Sequence, residues 1–242
     1  IDILERFAGG PPWLANPEGL VLYRNTVPGG NYLKICTQGT VSNRDGLGAR
    51  IEVLTGSHLQ RQWVRSGTGW LSTSDRRVHF GLGLATNVDL VRIRWPSGQN
   101  QYLTNLPVNQ ILTVEEPSMT LAGPAQVGGT TSLDFKIQGD EGLPYFMLLS
   151  LSNATSTVLP GGTLIPVVVD GVSEFTMAAG NSVLPSSFGF VNAQGEGGSP
   201  LTIPAVPWLM GFTLYGTAVT LDPANFTLFR TAFPAAVPIL IQ

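Results

Sequence analysis

Val91-Arg92-Ile93-Arg94-Trp95-Pro96-Ser97-Gly98 is the stretch from which the fold class is read. Val91, Ile93 and Trp95 fall on one side of a period-two segment, and Arg92 and Arg94 on the other. Pro96-Ser97-Gly98 then closes the segment with turn chemistry. The same alternation recurs on both sides. In 50–55, Ile51 and Val53 oppose Arg50 and Glu52. In 77–82, Val78, Phe80 and Leu82 oppose Arg77 and His79. In 132–138, Leu133, Phe135 and Ile137 oppose Asp134 and Lys136. One apolar and one wet face is the signature of an antiparallel sheet. Turns are expected at Asp45-Gly46, Gly128-Gly129, Gly161-Gly162, Asp170-Gly171 and Gly197-Gly198. Their spacing predicts an all-β chain of two antiparallel β-sandwich modules in tandem, with almost no helix.

Composition supports that class. Gly (29) and Pro (18) punctuate all 242 residues, which suits many short strands. Charged residues make up only 12%, about half the usual share. The charge is unevenly placed. Residues 1–118 carry 11 basic and 9 acidic side chains, a net +2, whereas 119–242 carry 2 and 7, a net −5. The overall −3 argues against a general nucleic-acid binder, which shows a basic footprint. No run nears the ~18 apolar residues of a membrane-spanning helix. The chain starts at Ile1 rather than Met, so its true beginning is expected upstream. Cys36 lies in an apparent strand, 32–36, and is expected to be a buried structural thiol.

The composition break places a module boundary at Glu116-Pro117-Ser118. Three segments follow: 1–30, 31–117 and 118–242. In the last, Phe146-Met147-Leu148-Leu149, Val167-Val168-Val169 and 212–221 read as strands covered on both faces. The tail contains Val237, Ile239, Leu240 and Ile241 and no charge that would discourage edge pairing. It reads either as the last strand of its own sandwich or as a strand donated to a neighbour.

Five blocks in order carry a family resemblance. They are Asn43-Arg44-Asp45-Gly46-Leu47-Gly48-Ala49-Arg50, Arg65-Ser66-Gly67-Thr68-Gly69-Trp70-Leu71-Ser72, Val78-His79-Phe80-Gly81-Leu82-Gly83, Arg94-Trp95-Pro96-Ser97-Gly98, and Asn109-Gln110 before Thr113-Val114-Glu115. Together they make residues 31–116 similar to the ASPIC/UnbV domain. The resemblance implies an extracellular protein with no catalytic residues to carry over. In that family the domain usually follows FG-GAP/VCBS repeats, which form a propeller with calcium loops. Asp2-Ile3-Leu4 and 17–25 resemble the end of such a repeat, but the alternating Asp/Asn calcium loop is missing. Calcium is therefore expected only in repeats upstream, and no cofactor is expected here. Residues 119–242 resemble C-terminal β modules of large bacterial secreted proteins.

The candidate sites follow from side-chain chemistry. Trp63 and Trp70 flank Arg65, a combination that could stack on sugar rings, although core packing is the plainer reading. Asn43, Arg44 and Asp45 form a polar loop that is either a ligand corner or a turn whose side chains bond its own backbone. One carboxylate is too few for a tight calcium site. His58, His79 and Cys36 give too few ligands for zinc. There is no Gly-x-Ser-x-Gly elbow, and adjacent Glu115 and Glu116 would point to opposite faces of a strand. The expectation is thus no enzyme and no metal. Asn153 and Asn225 match the N-glycosylation pattern.

The expected function is a non-enzymatic structural or assembly protein of a bacterial surface or extracellular fibre. The alternative is a module for adhesion to glycans or matrix. The expected partners are further copies of the chain or other surface proteins, and glycans in the adhesion reading. Neither nucleic acid nor a membrane span is expected.

Overall fold

The computed structural model describes residues 3–8, 18–23, 29–67, 73, 75–160, 162–178, 180–222 and 229–242. β1 (Ile3–Ala8) and β2 (Glu18–Tyr23) pair antiparallel, Ile3 opposite Tyr23, in a compact unit spanning Ile1–Gly30. The second unit, Asn31–Gln242, holds the remaining strands. The architecture is all-β, with a single short α-helix among the described residues.

Seven strands build the first half of this unit: β3 (Asn31–Gln38), β4 (Arg50–Thr55), β5 (His58–Trp63), β6 (Val78–Gly83), β7 (Asn87–Arg94), β8 (Asn100–Pro107) and β9 (Gln110–Glu115). They form two sheets, β6-β3-β9 and β5-β4-β7-β8. The alternation read from sequence is what buries them. Leu33, Ile35, Phe80, Ile51, Val91 and Ile93 close one core. One pairing departs from the antiparallel expectation, because β3 and β9 run parallel, Leu33 opposite Gln110. Parallel neighbours need a long crossover, and here the whole second sheet supplies it. Cys36 alternates out of the core and is only half-buried, so the expectation of a buried thiol is corrected.

The second half contains β10 (Ser118–Leu121), β11 (Thr130–Lys136), β12 (Pro144–Ser150), β13 (Thr157–Val158), β14 (Leu164–Ile165), α1 (Gly171–Met177), β15 (Phe188–Phe190), β16 (Glu196–Thr202), β17 (Thr213–Leu221), β18 (Phe229–Ala232) and β19 (Val237–Leu240). A three-stranded sheet, β10-β11-β16, faces a sheet in which β12 and β17 are central and β15, β18 and β19 flank them. Their core includes Leu133, Phe135, Tyr145, Met147, Leu201 and Ile239. β12 and β17 are covered as their apolar runs predict.

Three local readings are corrected. Val167-Val168-Val169 is not a strand, since Pro166 precedes it and Asp170 turns the chain into α1. Asp170-Gly171 is accordingly a helix N-cap and not a β-turn. The Asp170 carboxylate accepts from Val172 N (3.0 Å) and Ser173 N (2.9 Å), while its backbone N–H donates to Ser173 Oγ. Gly197-Gly198 lies inside β16. A methyl group at Gly197 would overlap Phe135 Cζ and sit 2.9 Å from Tyr145 Cε1. The glycine lets the edge-to-face Phe135–Tyr145 pair, with centroids 4.8 Å apart, lie directly on the strand. Gly197→Ala should therefore cost about 1–3 kcal/mol by overpacking. Its denaturation midpoint should fall in equilibrium unfolding, whereas a midpoint equal to wild type would mean that the rings relax freely.

Candidate ligand-binding face

The outer face of the β5-β4-β7-β8 sheet is built by strand register. β4 pairs Arg50 with Trp63 and Glu52 with Arg61 on one side, and with Arg94 and Arg92 on the other. β7 in turn sets Arg94 opposite Asn100 and Arg92 opposite Tyr102. Opposed residues share a face, so two rows cross the strands. One reads Trp63, Arg50, Arg94, Asn100; the next reads Arg61, Glu52, Arg92, Tyr102. A third row, Leu59, Leu54, Leu90 and Thr104, is largely apolar.

Glu52 is the single carboxylate in these rows. Its oxygens lie 2.8 Å from Arg61 Nε, 3.3 Å from Arg50 Nη2 and 3.8 Å from Arg92 Nη1. Three guanidinium groups thus gather on one carboxylate, and Arg94 adds a fourth in the neighbouring row, so the two rows together carry an excess of three positive charges. Glu52 is buried and acts as the pin that orders its neighbours, while Arg61 and Arg94 stand exposed. No carboxylate lies within ion-pair distance of Arg94 among the described residues. Trp63 ends the first row on the exposed edge strand, 46% accessible, and Arg65 lies over its ring at 5.6 Å. At the opposite edge, a cleft of about 550 Å³ is lined by Asn100, Tyr102 and Arg92 together with Ser156, Thr163 and Arg230.

The residues singled out in the sequence take separate places. Trp63 and Arg65 belong to this face, and Trp70 lies outside the described residues. The loop of Asn43, Arg44 and Asp45 satisfies itself. Asn43 accepts from Leu47 N (2.8 Å) and donates to Leu47 O (2.9 Å), and the Asp45 carboxylate pairs with Arg76. Asp45 O accepts from Thr37 Oγ1 (2.7 Å). Gly46, at φ +64°, packs where a side chain would meet Thr37 and Trp95. Arg44 projects into solvent, 3.8 Å from Asp45. The polar groups of the loop are thus engaged largely by its own backbone, by Thr37 and by Arg76.

The tail is paired within its own chain. Val237 to Leu240 lie along β17, Gly216 opposite Val237, and Ile241 bridges Ala125. Ile239 and Ile241 are buried in the local core, and Leu240 is exposed. Of the two readings open for this segment, the structure has the last strand of its own sandwich. Asn153 is exposed, as glycosylation would require, and Asn225 lies outside the described residues. Among the described residues no three His, Cys, Asp or Glu side chains cluster as a metal site would need.

Glu116, in sequence only a residue of the module boundary, is the anchor of a buried hydrogen-bond cluster. Buried to 1% exposure, its carboxylate accepts from Thr40 N (3.0 Å), Val41 N (3.0 Å) and Ser42 N (2.7 Å) on one oxygen. Ser42 Oγ (2.7 Å) and Ser97 Oγ (2.6 Å) donate to the other. Burial pushes its pKa up, but the hydrogen bonds from Ser97, Ser42 and Val41 outweigh burial and hold it below the ordinary carboxylate value.

No curated protein matches the chain. Several solved structures overlap it in part. One is BcpA*(D312A), the major pilin subunit of Bacillus cereus, at 10% identity over 87% of this chain and 68% of that one, TM-score 0.28. Another is a marsupial T cell receptor, at 13% identity over 86% and 70%, TM-score 0.28. A third is Salmonella alpha-2-macroglobulin reacted with methylamine, at 14% identity over 92% of this chain and 16% of that one, TM-score 0.27. Overlaps this loose carry no argument about function. The family comparison is specific and falls on the strands and loops just described: residues 39–121 match the family described as ASPIC and UnbV.

Proposed function

We propose that this chain is a non-enzymatic part of a bacterial surface or secreted protein, and that its ASPIC/UnbV-like module adheres to an anionic partner outside the cell. The observation that carries this reading is the outer sheet face, where Arg50, Arg61 and Arg92 gather on the lone Glu52, with Arg94 in the next row and an exposed Trp63 at the end of that row. Such a concentration of one sign steers an oppositely charged partner. The adhesion reading is preferred to assembly by tail donation because β19 is already paired with β17. The non-enzymatic reading draws support from Glu116 and Asp140, the two most deeply buried carboxylates among the described residues, which are engaged by neighbouring protein groups. In this reading the β1-β2 hairpin is the end of an FG-GAP/VCBS-type repeat, and residues 119–242 are a terminal β module.

Retention on immobilised dextran sulfate, with neutral dextran as reference, tests the proposal. Wild-type protein should be retained at low salt and released as ionic strength rises. The Arg61→Glu/Arg94→Glu double variant should lose retention, because both residues are exposed and the change shifts the face by four charges. Arg77→Glu, in the bend before β6 of the other sheet and paired with Asp75, should behave as wild type. Equal retention of wild type and the double variant would exclude this face as the binding surface.

A further inference from the structure

We infer that the partner of this face is a linear acidic polysaccharide that lies across the strands, from Trp63 over Arg50 and Arg94 to the cleft at Asn100. The inference rests on the adhesion reading above and specifies its ligand and its path.

The path follows from the rows. The row Trp63, Arg50, Arg94, Asn100 contains no carboxylate, whereas the row beside it contains Glu52. An anion running along β7 would pass from Arg94 to Arg92 and then onto the apolar row. Across the strands it meets cations and polar groups throughout. Four strands span roughly 14 Å, the length of roughly three pyranose units. Each position on the way has chemistry that suits such a chain. Trp63 offers a flat apolar platform for the C–H face of a sugar ring, with Arg65 held over it. Arg94, with no carboxylate partner among the described residues, offers a planar donor for a ring carboxylate or sulfate, and Arg50 adds a second cation that Glu52, 3.3 Å away, neutralises in part. Asn100, Ser156 and Thr163 line the cleft at the far end with amide and hydroxyl groups that match sugar hydroxyls. A rigid nucleic-acid duplex fits this site less well, because residues 119–242 carry a net −5 and the cation row is short.

Calorimetric titration with oligogalacturonates of two to six units tests the inference. Single galacturonate, neutral maltohexaose and a single-stranded oligonucleotide of matched charge serve as comparisons. Affinity should rise with length and level off near three to four units. Trp63→Ala and Arg94→Gln should each weaken the longer uronates by roughly tenfold, while Leu59→Ala, exposed in the apolar row, should change little. Both principal variants alter exposed side chains, so thermal unfolding should confirm that they fold. Oligonucleotide binding equal to uronate binding, no dependence on length, or a Leu59→Ala loss as large as that of Arg94→Gln would each overturn the cross-strand polysaccharide site. Any of these, with dextran sulfate retention intact, would leave the adhesion reading standing. Loss of retention on every polyanion would remove both.

Discussion

Glu116→Ala lowers the stability of the unit containing residues 31–242 by about 3–5 kcal/mol, among the largest effects expected of one substitution in this chain. The carboxylate closes the Thr40–Ser42 turn and ties it to Ser97, and it is the sole acceptor of three backbone N–H groups there. Removing it strands those donors where water reaches them poorly. Glu116→Gln should cost less, about 1–2 kcal/mol, because its oxygen can face the backbone donors while its amide meets the two serine hydroxyls. The pH dependence separates the variants further. The folded pKa lies below its unfolded value, so the ionised group contributes its stability above the unfolded carboxylate pKa. That contribution is lost as the pH falls through the lowered folded value. Urea unfolding from neutral to acid pH should therefore show wild type converging on Glu116→Gln. A constant gap between them at all pH values would mean that the charge contributes nothing.

Much of the fold is legible in the sequence because alternation is local. The outward direction of Arg50, Glu52, Arg92 and Arg94 follows from residues two positions away, and each emerges on the predicted face. Their gathering into one site is not legible, since no local pattern says that β4 lies between β5 and β7. Glu116 was hidden for the same reason, with its donors 19 to 76 positions away. Gly197-Gly198 and Asp170-Gly171 fail differently. Both pairs have turn chemistry, but the use of glycine in a strand is set by the rings of Phe135 and Tyr145, and Asp170 found a helix to cap. The small helix did leave a signal, an Asp followed three residues later by a Ser able to return the hydrogen bond. Arg230 also left one, as an isolated cation inside Phe229-Arg230-Thr231-Ala232 in a half of the chain that is otherwise nearly free of basic residues.

Arg230→Met should be about as damaging, again about 3–5 kcal/mol, through the partner it leaves behind. Asp140 is fully buried, with Arg230 Nε 2.9 Å from its Oδ1 and Thr220 Oγ1 donating to its Oδ2 at 2.7 Å. The Arg–Asp contact is close but misaligned for a hydrogen bond, so its attraction is mainly Coulombic. Arg230 also donates to the carbonyls of Tyr102 (3.3 Å) and Gly139 (3.2 Å) and lies 5.8 Å from the Tyr102 ring centroid. It therefore fastens β18 to β8, where the two halves of the unit meet. Burial raises the Asp140 pKa, against the opposing pull of Thr220 and Arg230. Removing the guanidinium raises it further. A carboxyl raised in this way contributes stability fully below its unfolded pKa and loses it as the pH rises through the folded value. The penalty of Arg230→Met should accordingly be small in acid and grow toward neutral pH. The double variant Asp140→Asn/Arg230→Met should recover part of the loss at neutral pH, because no charge is then left buried, though the carbonyls of Tyr102 and Gly139 still lack their donor. If the double variant is no more stable than Arg230→Met at neutral pH, the buried charge is not the source of the damage, and the lost bonds between β18 and β8 account for it.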